Sequence, residues 1–597
     1  MKEVVKVIFV NIVCVLIISS SGFIHSQGNP LDMKSEESSS DGEVSIISFY
    51  RLRFELSTTS SDTAVTLENI SKVLTARQVG TLNNPDHAGV TMRGLWVRST
   101  GESVGVIGDY AITPEAISEP FQCLLEKRAD GESTVRVYNI PERGDLELLK
   151  EISHGGSDSL LFSVDLSQLE DTSPFQMDLP CFEGEKILGT RYYPWYTMES
   201  WDSAWLYERD KPATPYSSSD PVAIERHVHQ AQNAGIDVFL CYWKNPGGYN
   251  DRNFALLLDI AQNNNFYVAI QLQAVEFDQA TWEAIPRDET VLLSELEYIH
   301  GNYGGYPAYL KVDGKPVVFV YSATSVPLST WENIFSQLEV QGYHGFYLAD
   351  YGGGQNPKLQ LLEVFDGFYL YNVLGIIHSS NDVSDLVDAY GTTGRGVRYY
   401  PLLMDSPTLK IWMPTVEPGY NDSAIEGRTS PTLDRKDGDF YRDTFNAALD
   451  SDPDWIGITT WNEWWEQSHI EPSQWYNDQY LRITQRFAKE WKENIKVTIT
   501  KPETGHFYIA NKKVLSTEIT IIIGKITVAV NAYSSKEIDK VEFYIDNVLK
   551  NTDYNESYQW LWNEFAIGEH EIKVIAYDKK GNKAEDKINV MIFNFGG

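Results

Sequence analysis

Between residues 187 and 461 the chain carries eight short, nearly uninterrupted apolar runs, and the segments between them read as helices. The runs are ILGTRYY (187–193), IDVFLCYW (236–243), FYVAIQL (266–272), PVVFVYS (316–322), GFYLAD (345–350), FDGFYLY (365–371), KIWMPTV (410–416) and WIGITTW (455–461). A strand with one wet face alternates polar and apolar residues. A run without alternation is buried on both faces, as in a parallel sheet covered by helices. Segments such as PVAIERHVHQAQNAG and NFALLLDIAQNNN supply the helical crossovers. Eight such units predict an α/β fold, a (β/α)8 TIM barrel over 183–492. The competing arrangement is an open doubly wound sheet, but no GxGxxG follows the first run, so its usual nucleotide-binding signature is missing.

The flanks have a different rhythm. Residues 43–180 hold short alternating segments separated by turn residues, such as VSIISFYRLRFEL, STVRVYNI and SLLFSVDL, which predict an N-terminal β-sandwich. Residues 497–597, with KVEFYIDN, YQWLW, HEIKVIAYD and the turn KKGN, predict an immunoglobulin-like C-terminal β-sandwich. At the start, Lys2 and Lys6 precede an apolar run from Val7 to Ile18 and then small residues, so 1–26 reads as a signal peptide or an uncleaved N-terminal anchor. A Ser-rich linker follows over 27–42. The expected location is secreted or on the extracellular cell surface, with membrane contact only through that anchor. Cys14 falls in the leader, leaving Cys123, Cys181 and Cys241; a Cys123–Cys181 bridge and three buried thiols are both open.

Charge and motif content exclude several functions. The chain has 49 Lys and Arg against 84 Asp and Glu, a formal charge of -35. A nucleic-acid partner needs clustered cations, and so does docking on anionic lipid. No CxxC or HExxH occurs, so no metal and no cofactor are expected. His227 and His229 share a predicted helix, but their spacing puts them on different faces. The 16 Trp and 34 Tyr suit the apolar faces of sugars as well as ordinary packing.

The chemistry concentrates at the end of the eighth run, ITTWNEWWEQSHIEPS. In such barrels reacting groups sit at the C-terminal ends of the strands. Glu463 and Glu466 stand three residues apart there, among Trp461, Trp464 and Trp465. Glycoside cleavage needs two carboxyl groups, one to protonate the leaving oxygen and one to act on the sugar. Apolar neighbours and mutual repulsion push their proton affinities apart. Asn462 precedes the pair, placed to orient it or to form the turn. His469 and Glu471 follow, as pocket or loop residues.

The run WNEWWEQSHIEPS resembles the WNEWHEGTxIEPS signature of family 99 glycoside hydrolases, the endo-α-mannosidase group. GTRYYPWY, SSSDPVAIERHVHQAQNAGIDVFLCYW, YPAYLKVDGKPVVFVYS, FDGFYLYNV, PTVEPGYNDSAIEGR and LDRKDGDFYRDTFNAALDSDPDWIGITTWNEW are similar to family segments in the same order. The C-terminal stretch resembles bacterial and archaeal Ig-like modules appended to extracellular glycosidases. The resemblance implies a retaining, endo-acting hydrolase of α-mannosidic linkages in oligosaccharides or polysaccharides. Glu463 would then act as base on the sugar 2-hydroxyl, whose oxygen attacks the anomeric carbon to give a 1,2-anhydro sugar, and Glu466 would serve as acid and then base. It further implies that Tyr193 hydrogen-bonds the base, that Trp243 stacks on a sugar, and that Tyr321 and Tyr371 line the cleft. Two positions depart from the family: Trp465 stands where it has His, and Gln273 where it has a sugar-binding Glu. Two other functions compete, a barrel glycosidase acting on β-linked glycans through a carboxylate nucleophile, and a non-catalytic cell-surface carbohydrate-binding protein.

Overall fold

A computed structural model of the protein describes residues 44–596 apart from 84, 86, 100–101, 168, 170–173, 181–185, 279–280, 354–356, 378–381, 405–407, 493–494, 518, 535–536 and 580–582. The leader at 1–26, the linker at 27–42 and Cys181 lie outside the described residues. Cys123 and Cys241 are buried free thiols. Among the described residues no helix is long and apolar enough to cross a membrane.

The centre is a closed parallel barrel. Its strands are β1 (Ile187–Tyr192), β2 (Val238–Trp243), β3 (Tyr267–Gln273), β4 (Lys315–Tyr321), β5 (Phe346–Asp350), β6 (Gly367–Tyr369), β7 (Ile411–Met413 with Thr415–Val416) and β8 (Trp455–Ile458). Each of the eight apolar runs thus becomes one strand. Pro414, which has no N–H to give, divides β7. The first half of β7 pairs with β6 and the second with β8, which also pairs with β1, so the ring closes. Gly457 N donates to the Pro414 carbonyl at 2.9 Å, carrying the ladder past the proline.

Helices α1 (Pro221–Asn233), α2 (Tyr249–Asn263), α3 (Glu289–Asn302), α4 (Leu328–Val340), α5 (Ser384–Tyr399), α6 (Asp439–Asp450) and α7 (Gln479–Lys492) cover the outside, and the β5–β6 link holds a 3-10 turn at Leu359–Glu363. The local rules are visible in α1. The Asp220 carboxylate caps it by accepting from Val222 N at 3.0 Å, Pro221 occupies the first turn, and Gly235 ends it at φ +78.

Strand parity divides the barrel residues. Val238, Leu240, Val317, Phe319, Phe346, Leu348, Tyr369, Ile411, Met413 and Trp455 form the interior core. Their neighbours, such as Phe239, Cys241, Val318 and Ile456, face the helices and belong to the large outer core. Continuing the inward parity to the strand ends brings Tyr193, Tyr242, Gln273, Tyr321, Asp350, Tyr371 and Glu417 to the C-terminal face.

Residues 44–180 form two antiparallel sheets, of six and five strands, around a shared core. This domain is locked to the barrel. Thr75 Oγ1 donates to the Gly396 carbonyl at 3.0 Å, Arg395 Nε to the Val73 carbonyl at 3.0 Å, and Arg77 pairs with Glu363 at 3.0 Å. Its buried residues run without a break into those of the barrel. From Lys496 onward, two further sheets of three and seven strands enclose a separate core of their own.

Candidate active site

The site is built on the segment after β8, which turns back over the barrel mouth. Asn462 fastens this segment to β1: its Oδ1 accepts from Tyr193 N at 2.7 Å, and its Nδ2 donates to the Tyr193 carbonyl and to Tyr216 Oη, both at 3.0 Å. Asn462 is fully buried, so it orients the neighbouring Glu463 rather than meeting a ligand. Glu463 N donates to Thr460 Oγ1 at 2.8 Å. The Glu463 carboxyl is 3% exposed and accepts from Trp465 N at 3.2 Å and Tyr196 Oη at 3.4 Å. The phenol that reaches Glu463 is therefore Tyr196, one turn beyond the expected Tyr193. The Tyr193 hydroxyl instead bonds the Tyr371 hydroxyl at 2.5 Å, and Tyr371 meets Tyr321 edge to face at 4.8 Å. These three tyrosines make one continuous wall.

Glu466 is paired with Arg428, whose guanidinium donates to its Oε1. Burial raises the proton affinity of both glutamates. At Glu463 the charge of Glu466 adds to that effect, and the shift is large; at Glu466 the guanidinium of Arg428 works against it. The two carboxyls are therefore held unequally, Glu463 facing the charge of Glu466 and Glu466 facing the Arg428 guanidinium.

Indoles line the other side. Trp195 and Trp465 stack at 5.3 Å with an interplanar angle of 16°, Trp205 meets Trp465 edge-on at 5.3 Å, and Tyr242 meets Trp195 edge-on at 4.8 Å. Trp464 and Trp461 are fully buried behind them. His469 and Glu471 brace this layer from below. The His469 ring stacks on Trp464 at 3.8 Å and bonds Asp210 at 3.1 Å, while Glu471 Oε2 accepts from Trp464 Nε1 and Tyr216 Oη. Burial pushes the His469 imidazole down to about 4. His227 bonds Tyr192 and pairs with Glu471, and His229 bonds Asn264.

Trp243 is not placed to stack on a sugar. It is 0% exposed, its indole N–H is given to Asp251 Oδ1 at 2.8 Å, and its ring lies along Tyr298. The cause is parity: Val238, Leu240 and Tyr242 point inward, so Trp243 points at the helices. Tyr242 takes the position facing the site. Gln273 reaches the C-terminal face but is 5% exposed, its amide donating to the Gln271 carbonyl at 3.1 Å. Sequence reasoning also passed over Tyr196, Arg428 and Glu417. Glu417 directly follows β7, is fully buried, accepts from Val373 N at 3.1 Å, and is pushed up to about 8 by burial. Among the described residues no group of His, Cys, Asp and Glu is arranged to hold a metal ion. An open groove of about 410 Å³ near His300, Lys315 and His344 lies at the opposite, N-terminal end of β4 and β5, and its lining residues include no carboxylate pair.

Fold and site together define a (β/α)8 barrel with two interacting glutamates, Glu463 buried and Glu466 partly exposed, and an aromatic wall at the C-terminal ends of its strands. Residues 211–501 match the model of glycosyl hydrolase family 99, and residues 496–574 match that of the bacterial Ig domain. The glycoprotein endo-alpha-1,2-mannosidase-like protein of Mus musculus is 26% identical over 308 residues, covering 46% of this chain and 64% of that protein. The glycoprotein endo-alpha-1,2-mannosidase of Mus musculus is 27% identical over 286 residues, covering 45% and 57%. The chain therefore spans between 57% and 64% of the length of these relatives. Among solved structures, the GH99 endo-alpha-mannosidase from Bacteroides thetaiotaomicron in complex with bis-tris-propane is 24% identical, with a TM-score of 0.43, covering 51% of this chain and 97% of that one.

Proposed function

We propose that this protein is an exported, retaining, endo-acting glycoside hydrolase that cleaves α-mannosidic linkages within glycans or polysaccharides. The observation that carries the reading is the pair Glu463 and Glu466 after β8, the first buried and the second partly exposed, beside half-buried Trp195, Tyr242 and Trp465. Two neighbouring carboxyls supply one acid and one base from the same loop. In the reaction, Glu463 takes the proton of the 2-hydroxyl as that oxygen attacks the anomeric carbon, and Glu466 gives its proton to the departing glycosidic oxygen. Water then loses a proton to Glu466 and attacks the same carbon. The anhydro ring opens, and the 2-oxygen recovers its proton from Glu463. Each glutamate ends the cycle as it began, and the configuration is retained after two inversions. A mannose-configured sugar suits this route because its axial 2-hydroxyl lies anti to an α leaving group. The relatives named as endo-alpha-1,2-mannosidases support this substrate class.

Incubation with α-mannan and β-glycan panels, with mass-spectrometric product analysis, tests the substrate class. Internal cleavage of α-mannan with retention is expected; cleavage of β-glycans alone, or of nothing, overturns it. A 2-deoxy or 2-fluoro sugar at the cleaved position tests the route. Such a substrate should not turn over and should leave no covalent adduct, whereas a trapped 2-fluoroglycosyl group on either glutamate would point to a carboxylate nucleophile.

A further inference from the structure

The scheme above requires Glu466 to give a proton to the leaving oxygen, yet one of its carboxyl oxygens is held by a cation. The Arg428 guanidinium donates to Glu466 Oε1, lies 3.7 Å from Asp422 Oδ2, and sits 4.3 Å over the Trp282 ring. Trp282 is fixed in turn by its indole N–H, which donates to the Glu426 carbonyl at 3.0 Å. The other oxygen of Glu466, Oε2, is shut off from solvent. The exposed 13% of the Glu466 side chain therefore lies away from Oε2, and Oε1, the other carboxyl oxygen, is the one that Arg428 holds.

We propose that Arg428 is a positioning residue, a latch that holds Glu466 Oε1 until the incoming glycan displaces it, before Glu466 protonates the leaving oxygen. The proposal rests on the hydrolase reading of the same site. Arg428 has two anchors that survive release. The Asp422 side chain, 2% exposed, keeps the cation compensated, and the Trp282 face holds the guanidinium plane. With 22% of its own side chain exposed, Arg428 is in contact with solvent.

The groups facing Glu466 come from several elements. Glu463 shares its loop; Tyr420, Asp422 and Arg428 come from the β7–α6 segment; Tyr193, Tyr321 and Tyr371 come from the ends of β1, β4 and β6; Glu417 directly follows β7. Arg428 is the cation in this set, and it opposes the effect of burial on Glu466. When it leaves, Glu466 keeps its proton to higher pH, and the charge of the pair moves toward Glu463.

The test compares wild type with R428K and R428M. Water-soluble carbodiimide modifies protonated carboxyls, so peptide mass spectrometry across a pH series reads the protonation midpoint of Glu466 without using turnover. In R428M the midpoint, and with it the alkaline limb of kcat/KM on α-mannan, should rise by about one unit or more, as expected for loss of a contacting cation. In R428K the midpoint should stay near that of wild type. R428Q gives the same reading if R428M is insoluble. An unmoved midpoint in a variant with wild-type Tm overturns the latch and leaves the hydrolase reading intact. So does loss of turnover on every substrate at wild-type Tm, because Arg428 would then act on the reacting groups directly. A wild-type protein that cleaves no glycan overturns the hydrolase reading, and the latch falls with it.

Discussion

Replacing Trp243 by alanine separates packing from sugar binding, and the structure sets the size of the effect. The side chain is 0% exposed, and truncating a buried Trp costs about 3–5 kcal/mol. The same change removes the 2.8 Å bond to Asp251 Oδ1. Asp251 would keep Gly247 N at 2.7 Å, Tyr298 Oη at 2.9 Å and Tyr303 Oη at 2.6 Å, so the lost bond adds only about 1 kcal/mol. A total near 5 kcal/mol, at about 2 °C per kcal/mol for a large domain, lowers Tm by about 10 °C. Calorimetry gives Tm, and kinetics well below the transition give KM for α-mannan, which should stay close to wild type. Trp243→Phe keeps most of the packing and should lose less. Tyr242→Ala should show the opposite split, a raised KM with a smaller change in Tm, because its ring faces the site. The reasoning is refuted if Trp243→Ala melts like wild type and binds substrate poorly.

Two further outcomes follow from the carboxyls of the site. Glu466→Gln should spare substrates with good leaving groups, which need little protonation, while Glu463→Gln should abolish turnover of every substrate; equal losses on activated and natural glycans would remove the division of roles. Glu417, pushed up to about 8, keeps its proton in the fold where the unfolded chain has lost it, so it makes stability fall as pH rises from the ordinary carboxyl range toward 8; Glu417→Gln should flatten the Tm profile over that window, as read by calorimetry.

The barrel was legible because its signal is repeated and local. Eight runs buried on both faces, with helices between, leave few arrangements, and each run appears in place. Glu463 and Glu466 were legible because two carboxylates among three indoles are unusual and stand at a strand end. Parity was not legible. In IDVFLCYW every residue after the aspartate is apolar or aromatic, so the alternation that marks the inward face carries no contrast, and the choice between Tyr242 and Trp243 depends on tertiary packing. Tyr196 and Arg428 were missed for another reason. Both lie outside the strands, in segments whose path over the barrel mouth is set by contacts such as Trp282 on Arg428 that link positions 146 residues apart. The division of β7 at Pro414 was visible as a residue, but its effect on closure depended on which neighbour each half would meet.

The lock between Thr75, Arg395 and Gly396 bears on how this architecture can be inherited. Phe49, Leu74 and Ala111 share one buried cluster with Leu402 and Leu403, so the N-terminal sheets serve as part of the outer wall of the barrel at its β6–β7 connection. A gene fusion or deletion cutting between them would strip that wall and leave apolar surface open to water. The C-terminal sheets close on themselves, and a break after α7 crosses no such seam. The two flanks therefore differ in portability. The trailing module can be exchanged, repeated or lost among descendants of this chain, whereas the leading one is bound to travel with the barrel as a single heritable unit.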